Sequence, residues 1–116
     1  MIKIKRIYAQ PAREDGHRIL IDRLWPRGIA KENAKIDLWL KEIAPSDELR
    51  KWFHRDPEKW EEFRNKYENE LKTKQGLLHK IKQFEKEKGT VTLLYSARNE
   101  KRNNAIALGD FLEKQK

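Results

Sequence analysis

Two apolar runs constrain this chain more than anything else in it: Ile19-Leu20-Ile21 and Val91-Thr92-Leu93-Leu94-Tyr95, separated by a long stretch of helical periodicity. Strands covered on both faces read as nearly continuous apolar runs. A strand, a helical excursion and a second strand form a crossover, and such crossovers are right-handed with parallel strands in almost all cases. The pattern therefore predicts an α/β domain whose second and third strands lie side by side and end at the same edge.

At the start of the chain, Ile2-Lys3-Ile4-Lys5-Arg6-Ile7-Tyr8 alternates apolar and basic residues, as suits an edge strand with one wet face. Gln10 to Gly16 joins it to the second strand, Arg18 to Leu24. A long hairpin loop would set these two strands antiparallel and a short crossover would set them parallel, and both remain open. The helical part divides at its own punctuation. Asn33 is the expected cap of a helix with Ile36, Trp39, Leu40 and Ile43 on one face, stopped by Pro45. Ser46 caps a second helix with Leu49, Trp52 and Phe53. Asp56-Pro57 opens a third, with Trp60, Phe63, Tyr67 and Leu71 on one stripe. A fourth carries Leu77, Leu78, Ile81 and Phe84 and stops at Gly89. The third strand, Thr90 to Ser96, leads to a last helix from about Glu100, capped by Asn99, with Ala105, Leu108, Phe111 and Leu112 inward. The expected fold is a three-stranded, mainly parallel central sheet, its first strand of open direction, flanked by about five helices in a single domain over residues 1–116.

Charged residues make up 40% of the chain and apolar ones 37%, a balance that would suit disorder were the four Trp, four Phe and three Tyr not set at regular strand and helix spacings. The composition is of the Lys/Glu-rich, thermostable kind. The net charge of +8 is uneven: residues 1–31 carry +5, residues 32–71 carry −3 and residues 72–116 carry +6. Such a balance favours polyanionic partners, nucleic acid or phosphorylated small molecules, although lysines also serve solubility alone. The absence of Cys removes disulfides, thiol nucleophiles and zinc–thiolate sites. No run approaches the length of a membrane span, so the expected location is cytoplasmic, with no membrane partner.

Chemistry concentrates where the second strand runs into Asp22-Arg23-Leu24-Trp25-Pro26-Arg27-Gly28. With the second and third strands parallel, Arg23, Trp25 and Arg27 meet Ser96, Arg98 and Asn99 at the carboxyl edge, where open α/β sheets take ligands. Guanidinium groups bind phosphate oxygens in pairs, and the start of the last helix adds N–H donors. These six residues are the expected site for a phosphorylated or nucleotide-like anion. The competing structural readings are ion pairing of Arg23 and Arg27 with Asp22, Asp37 or the acidic helices, and a core position for Trp25. No glycine-rich phosphate loop is present.

Acid–base chemistry would rest on Asp22, Asp37 or Tyr95. Asp22 leads because it interrupts an apolar strand, and a hydrolase or transferase using it is one alternative. His17, His54 and His79 show no metal-ligand spacing, so neither a metal nor a cofactor is expected. A second alternative is a nucleic-acid-binding or regulatory accessory protein using the basic surface, with Lys80, Lys82, Lys86 and Lys88 on the fourth helix.

Glu14-Asp15-Gly16-His17-Arg18-Ile19-Leu20-Ile21-Asp22-Arg23-Leu24-Trp25-Pro26-Arg27-Gly28 resembles the YeaO-like branch of a large bacterial and archaeal family of unknown function. The resemblance continues through residues 38–46, 49–53 and 56–63 and ends with Leu93-Leu94-Tyr95-Ser96-Ala97-Arg98. It implies an α/β sandwich-like domain with no established activity. Relatives of this kind often carry His where Arg55 and Asn104 stand here, so family histidine chemistry is not carried over unless His54 substitutes for the one absent at Arg55. More distant relatives place cysteines near the third strand and last helix, and this chain has none.

Overall fold

The computed structural model, which describes residues 1–115, contains one four-stranded sheet: β1 (Ile2–Arg6), β2 (His17–Leu20), β3 (Leu38–Trp39) and β4 (Val91–Tyr95). The strand order is β1-β4-β2-β3, and every pairing is parallel. The helices are α1 (Lys31–Ala34), α2 (Asp47–Arg55), α3 (Trp60–Leu71), α4 (Gln75–Lys88) and α5 (Asn104–Lys114). As expected, β2 and β4 are parallel neighbours, both central, and β1 lies at an edge.

One expectation about the sheet needs correction and one open point is decided. It has four strands rather than three, and β1, whose direction the sequence leaves open, is parallel to the rest and pairs with β4, not with β2. The segment between β1 and β2 is no hairpin. Its short 3₁₀ turn, Arg13–Asp15, tucks the Asp15 carboxylate against Lys5 and Arg18, and β4 fills the gap between the strands. Gly16 makes this possible. Its φ is +64°, and a Cβ there would stand 2.4 Å from the Thr90 carbonyl oxygen, so only glycine lets the chain pass so close to β4.

β3 lies where a helix was expected. Ile36, Trp39, Leu40 and Ile43 do have helical spacing, but Leu38-Trp39-Leu40 is also a short run apolar on both sides of the alternation. In the structure Leu38 and Leu40 face the larger core and Trp39 the smaller one on the opposite side. Backbone bonds from Asp37 N to Arg18 O (2.8 Å) and Leu40 N to Leu20 O (2.9 Å) hold the strand against β2. Asn33 accordingly caps no such helix and lies within the short α1.

Two other helix starts move. Asp56 closes α2, its N–H reaching the Trp52 and Phe53 carbonyls, so α3 begins only at Trp60, after the Pro57 turn. The last helix is capped by Asn103, whose side chain accepts from Ile106 N (2.9 Å); Asn99 instead accepts from the N–H groups of Lys101 and Arg102 in a separate turn. Ser46 caps α2 and Gly89 ends α4, both as expected.

Alternation along the strands feeds two cores. Ile19, Ile21, Val91, Leu93 and Tyr95 face the larger one, covered by Phe63, Tyr67, Leu78, Ile81, Leu108 and Phe111 from α3, α4 and α5. Leu20, Leu94 and Ile7 face the smaller one, covered by Ala34 with Trp25, Ile29 and Ile36 from the segment after β2. Each large apolar side chain so buried contributes about 1.5–3 kcal/mol relative to exposure. With β2 and β4 clad on both faces, their carboxyl ends are held at one edge.

Candidate functional site

At that edge β2 is followed by Asp22 and β4 by Ser96. The Asp22 Oδ2 accepts from the Ser96 backbone N–H (2.9 Å) and from its hydroxyl (2.6 Å), while Oδ1 accepts from the Asn104 side-chain amide (3.0 Å). The Asp22 carbonyl also accepts from the Trp39 indole N–H (2.7 Å). One half-buried carboxylate thus joins the ends of two central strands to the first turn of α5. Asn104 is not among the expected site residues, because the helix begins there, four positions beyond the start that the sequence suggests.

Arg23 turns away from this node. Its Nε and Nη2 donate to the Pro45 and Ala44 carbonyls, each at 3.3 Å, and its Nε lies 3.9 Å from an Asp47 carboxylate oxygen. It therefore closes the chain between β3 and α2, where Tyr67 OH also donates to Ile43 O (2.7 Å) and Glu70 accepts from the Ser46 N–H and hydroxyl. Burial above all, and then the Glu70 charge, push the Tyr67 hydroxyl far above its ordinary value, so it remains a neutral donor.

Trp25 is half-buried. Its indole N–H donates to Ile29 O (2.7 Å) and its ring meets Trp39 edge-on at 5.4 Å, so it serves the smaller core, with the Lys31 ammonium 6.0 Å from its ring centre. Arg27, Arg98 and Asn99 are exposed. The backbone turns carrying Arg27 and Arg98 are linked through β1. Tyr8 OH donates to Arg27 O (2.9 Å), the Arg6 guanidinium lies 4.9 Å above the Tyr8 ring, and Arg6 donates to Ala97 O (2.9 Å) and Ser96 O (3.0 Å). By sequence pattern Arg6 and Tyr8 belong only to an edge strand. No local signal marks them, because whether β1 ends at this edge depends on a direction that the sequence leaves open. A cleft beside them is lined by Arg6, Tyr8, Ala9, Tyr95, Glu100 and Ile106.

The other titratable candidates stand apart from the node. Asp37 is exposed toward the opposite end of β2, where its Oδ2 accepts from Arg18 N (2.8 Å). Tyr95 is buried, and burial, followed by the Glu100 charge, raises its hydroxyl above the ordinary value. His17 stacks on Phe84 at 4.1 Å, whereas His54 and His79 are exposed on α2 and α4. Among the described residues no group of three His, Asp or Glu side chains is arranged to hold a metal ion, and no helix is long and apolar enough to cross a membrane.

A model of the inactive DUF488-N3 subclade matches residues 1–116. The chain is 45% identical over 111 residues to the uncharacterized protein YeaO of Escherichia coli K12, covering 96% of each chain. It is 35% identical over 111 residues to an uncharacterized protein of Mycobacterium tuberculosis H37Rv, covering 96% of this chain and 92% of that relative. No solved structure shows a significant match. The chain belongs to the inactive DUF488-N3 subclade.

Proposed function

We propose that this member of the inactive DUF488-N3 subclade is a non-catalytic binding protein that takes a phosphorylated small molecule, such as a nucleotide, at the carboxyl edge of its sheet. One observation carries the reading. The carboxylate at the centre of the edge is committed to three donors, while Arg27 and Arg98 stand exposed on turns tied together by Arg6 and Tyr8. Two guanidinium groups match the paired oxygens of a phosphate. Arg23, held on the Pro45 and Ala44 carbonyls, does not join them, whereas Asn99, whose Oδ1 is occupied, keeps its amide N–H pair. Ser96 offers lone pairs only, since its proton goes to Asp22. The exposed Tyr8 ring supplies a face on which a base stacks.

The same hydrogen bonds weigh against a hydrolase or transferase using Asp22. Oδ2 is taken up by the Ser96 N–H and hydroxyl and Oδ1 is held by Asn104, so the carboxylate is stabilised as a structural acceptor rather than left free as a base, and membership in a clade termed inactive agrees. A nucleic-acid-binding accessory role rests on a different surface, the exposed Lys80, Lys86 and Lys88 of α4. It predicts oligonucleotide affinity that falls steeply with salt and is indifferent to Arg27 and Arg98.

The test is a thermal-shift survey of nucleotides, sugar phosphates and oligonucleotides with the wild-type chain and with the double variant Arg27→Gln/Arg98→Gln. A ligand that binds the folded state raises the melting temperature. The reading expects a rise with at least one phosphorylated small molecule and a clearly smaller one in the double variant. An equal rise in both proteins would remove the assignment of the site.

A further inference from the structure

A second cleft lies on the opposite end of the sheet's smaller-core face, lined by Gln10, Pro11, Ala12, Arg13, Arg18, Asn33 and Lys35. Three of these residues are cationic, two carry side-chain amides and none is acidic. Arg18 is 96% buried, being only 4% exposed, and its guanidinium is built in rather than displayed. Nε donates to Lys35 O (2.9 Å), Nη2 to Ala34 O (3.0 Å) and Nη1 to the Asp15 carboxylate. That accounts for three of its five N–H groups.

The backbone around it is arranged to the same end. Lys35 is the one non-glycine residue among the described residues with a left-handed conformation, φ 49° and ψ 45°. That conformation costs on the order of 1 kcal/mol for a residue bearing a Cβ. It turns two successive carbonyls, those of Ala34 and Lys35, onto Arg18. The Asp15 carboxylate is shared: it also accepts from the Ala12 N–H (3.0 Å) and from Lys5 (3.1 Å). One carboxylate thus serves two cations, and the other carboxylate nearby, the exposed Asp37, bonds the Arg18 backbone N–H and not its guanidinium, which faces a cleft walled by Arg13 and Lys35.

We infer that this cleft is a second anion site, independent of the carboxyl edge, which takes a small doubly charged oxyanion of the phosphomonoester class. Arg18 supplies its two remaining N–H donors from the floor, Arg13 and Lys35 close over the anion from either rim, and Asn33 and Gln10 donate from their amides. A terminal phosphate presents two charges and three equivalent oxygens, which matches the excess of donors and cations. A phosphodiester backbone carries one charge per phosphate and would be met by the exposed Arg13 and Lys35 rather than by the buried Arg18.

The experiment is a two-dimensional NMR titration of the isotope-labelled chain with inorganic phosphate, reading backbone amides and arginine Nε–H signals. Replacing Arg18 itself would strand Asp15 and endanger folding, so the variant is Arg13→Gln/Lys35→Asn; Asn tolerates the left-handed conformation. The expected result is saturable shifts at Arg13, Asn33, Lys35 and the Arg18 Nε–H, with phosphate affinity about tenfold weaker in the variant. Carboxyl-edge signals at Arg27 and Arg98 serve as the internal comparison and should respond equally in both proteins. Shifts confined to the carboxyl edge, or no shifts at millimolar phosphate, would overturn the inference. So would tighter binding of a short oligonucleotide than of phosphate at these same residues.

Discussion

Replacing Asp22 with Asn keeps the side chain's volume and removes its charge, which makes it a direct probe of the node that joins β2, β4 and α5. The carboxylate accepts three hydrogen bonds, at 2.6, 2.9 and 3.0 Å. Bonds to a charged group contribute about 1.5–3 kcal/mol each. An amide offers one oxygen and one NH₂. If the oxygen stays with Ser96, the NH₂ confronts the NH₂ of Asn104; if it turns to Asn104, two Ser96 donors lose their acceptor. One bond is lost outright and the others lose their charge, but the group is half-buried and water replaces part of the loss. The expected cost is about 2–3 kcal/mol, or roughly 10 °C in melting temperature for a chain of this size. Urea unfolding followed by tryptophan fluorescence measures it, with an unchanged denaturant slope showing that the native surface is kept. Ser96→Ala combined with Asp22→Asn should cost less than the two singly, with a coupling of about 1 kcal/mol. A cost below about 0.5 kcal/mol would refute the reasoning, since solvent would then satisfy Asp22 as well as Ser96 and Asn104 do.

Asp15→Asn should be more damaging, by about 3–5 kcal/mol in the same urea assay, because it leaves the buried Arg18 guanidinium without its charge partner. Asp15 also predicts acid sensitivity. Burial raises its carboxyl, but the Ala12 N–H, Lys5 and Arg18 together outweigh burial and hold it below the ordinary 3.8. A depressed native value gives stability that is fully present above the unfolded value and is lost as pH falls through it toward the native one. Wild-type unfolding free energy should therefore drop, as pH falls below about 5, more steeply than that of Asp15→Asn. Gly16→Ala should cost about 2–4 kcal/mol, from a left-handed φ of +64° and a Cβ 2.4 Å from Thr90 O; a melting temperature within a degree or two of wild type would contradict that packing.

The central sheet was legible because β2 and β4 are apolar on both faces and separated by helices, so periodicity and crossover handedness together placed their ends at one edge. β3 was not, because Ile36, Trp39, Leu40 and Ile43 satisfy the helical spacing by sending side chains to opposite faces of a sheet. The direction of β1 hung on the loop after it, where the deciding contact, Asp15 with Lys5 and Arg18, joins residues on different elements and leaves no local pattern. The site was partly legible. Asp22 and Ser96 do meet, but Asn103 and Asn99 are equivalent caps by composition, and choosing the wrong one hid Asn104. Arg18 looked like the first residue of an apolar strand; its burial follows from carbonyls that only the left-handed turn at Lys35 presents to it.

The most direct test of the binding account is calorimetric titration of the wild-type chain with adenosine 5′-monophosphate at low ionic strength, with the recovered ligand then checked for turnover. The account predicts saturable binding whose carboxyl-edge component is lost in Arg27→Gln/Arg98→Gln and survives in Arg13→Gln/Lys35→Asn, with the nucleotide left intact. Binding of equal strength in the Arg27→Gln/Arg98→Gln variant, or a consumed nucleotide, would contradict it.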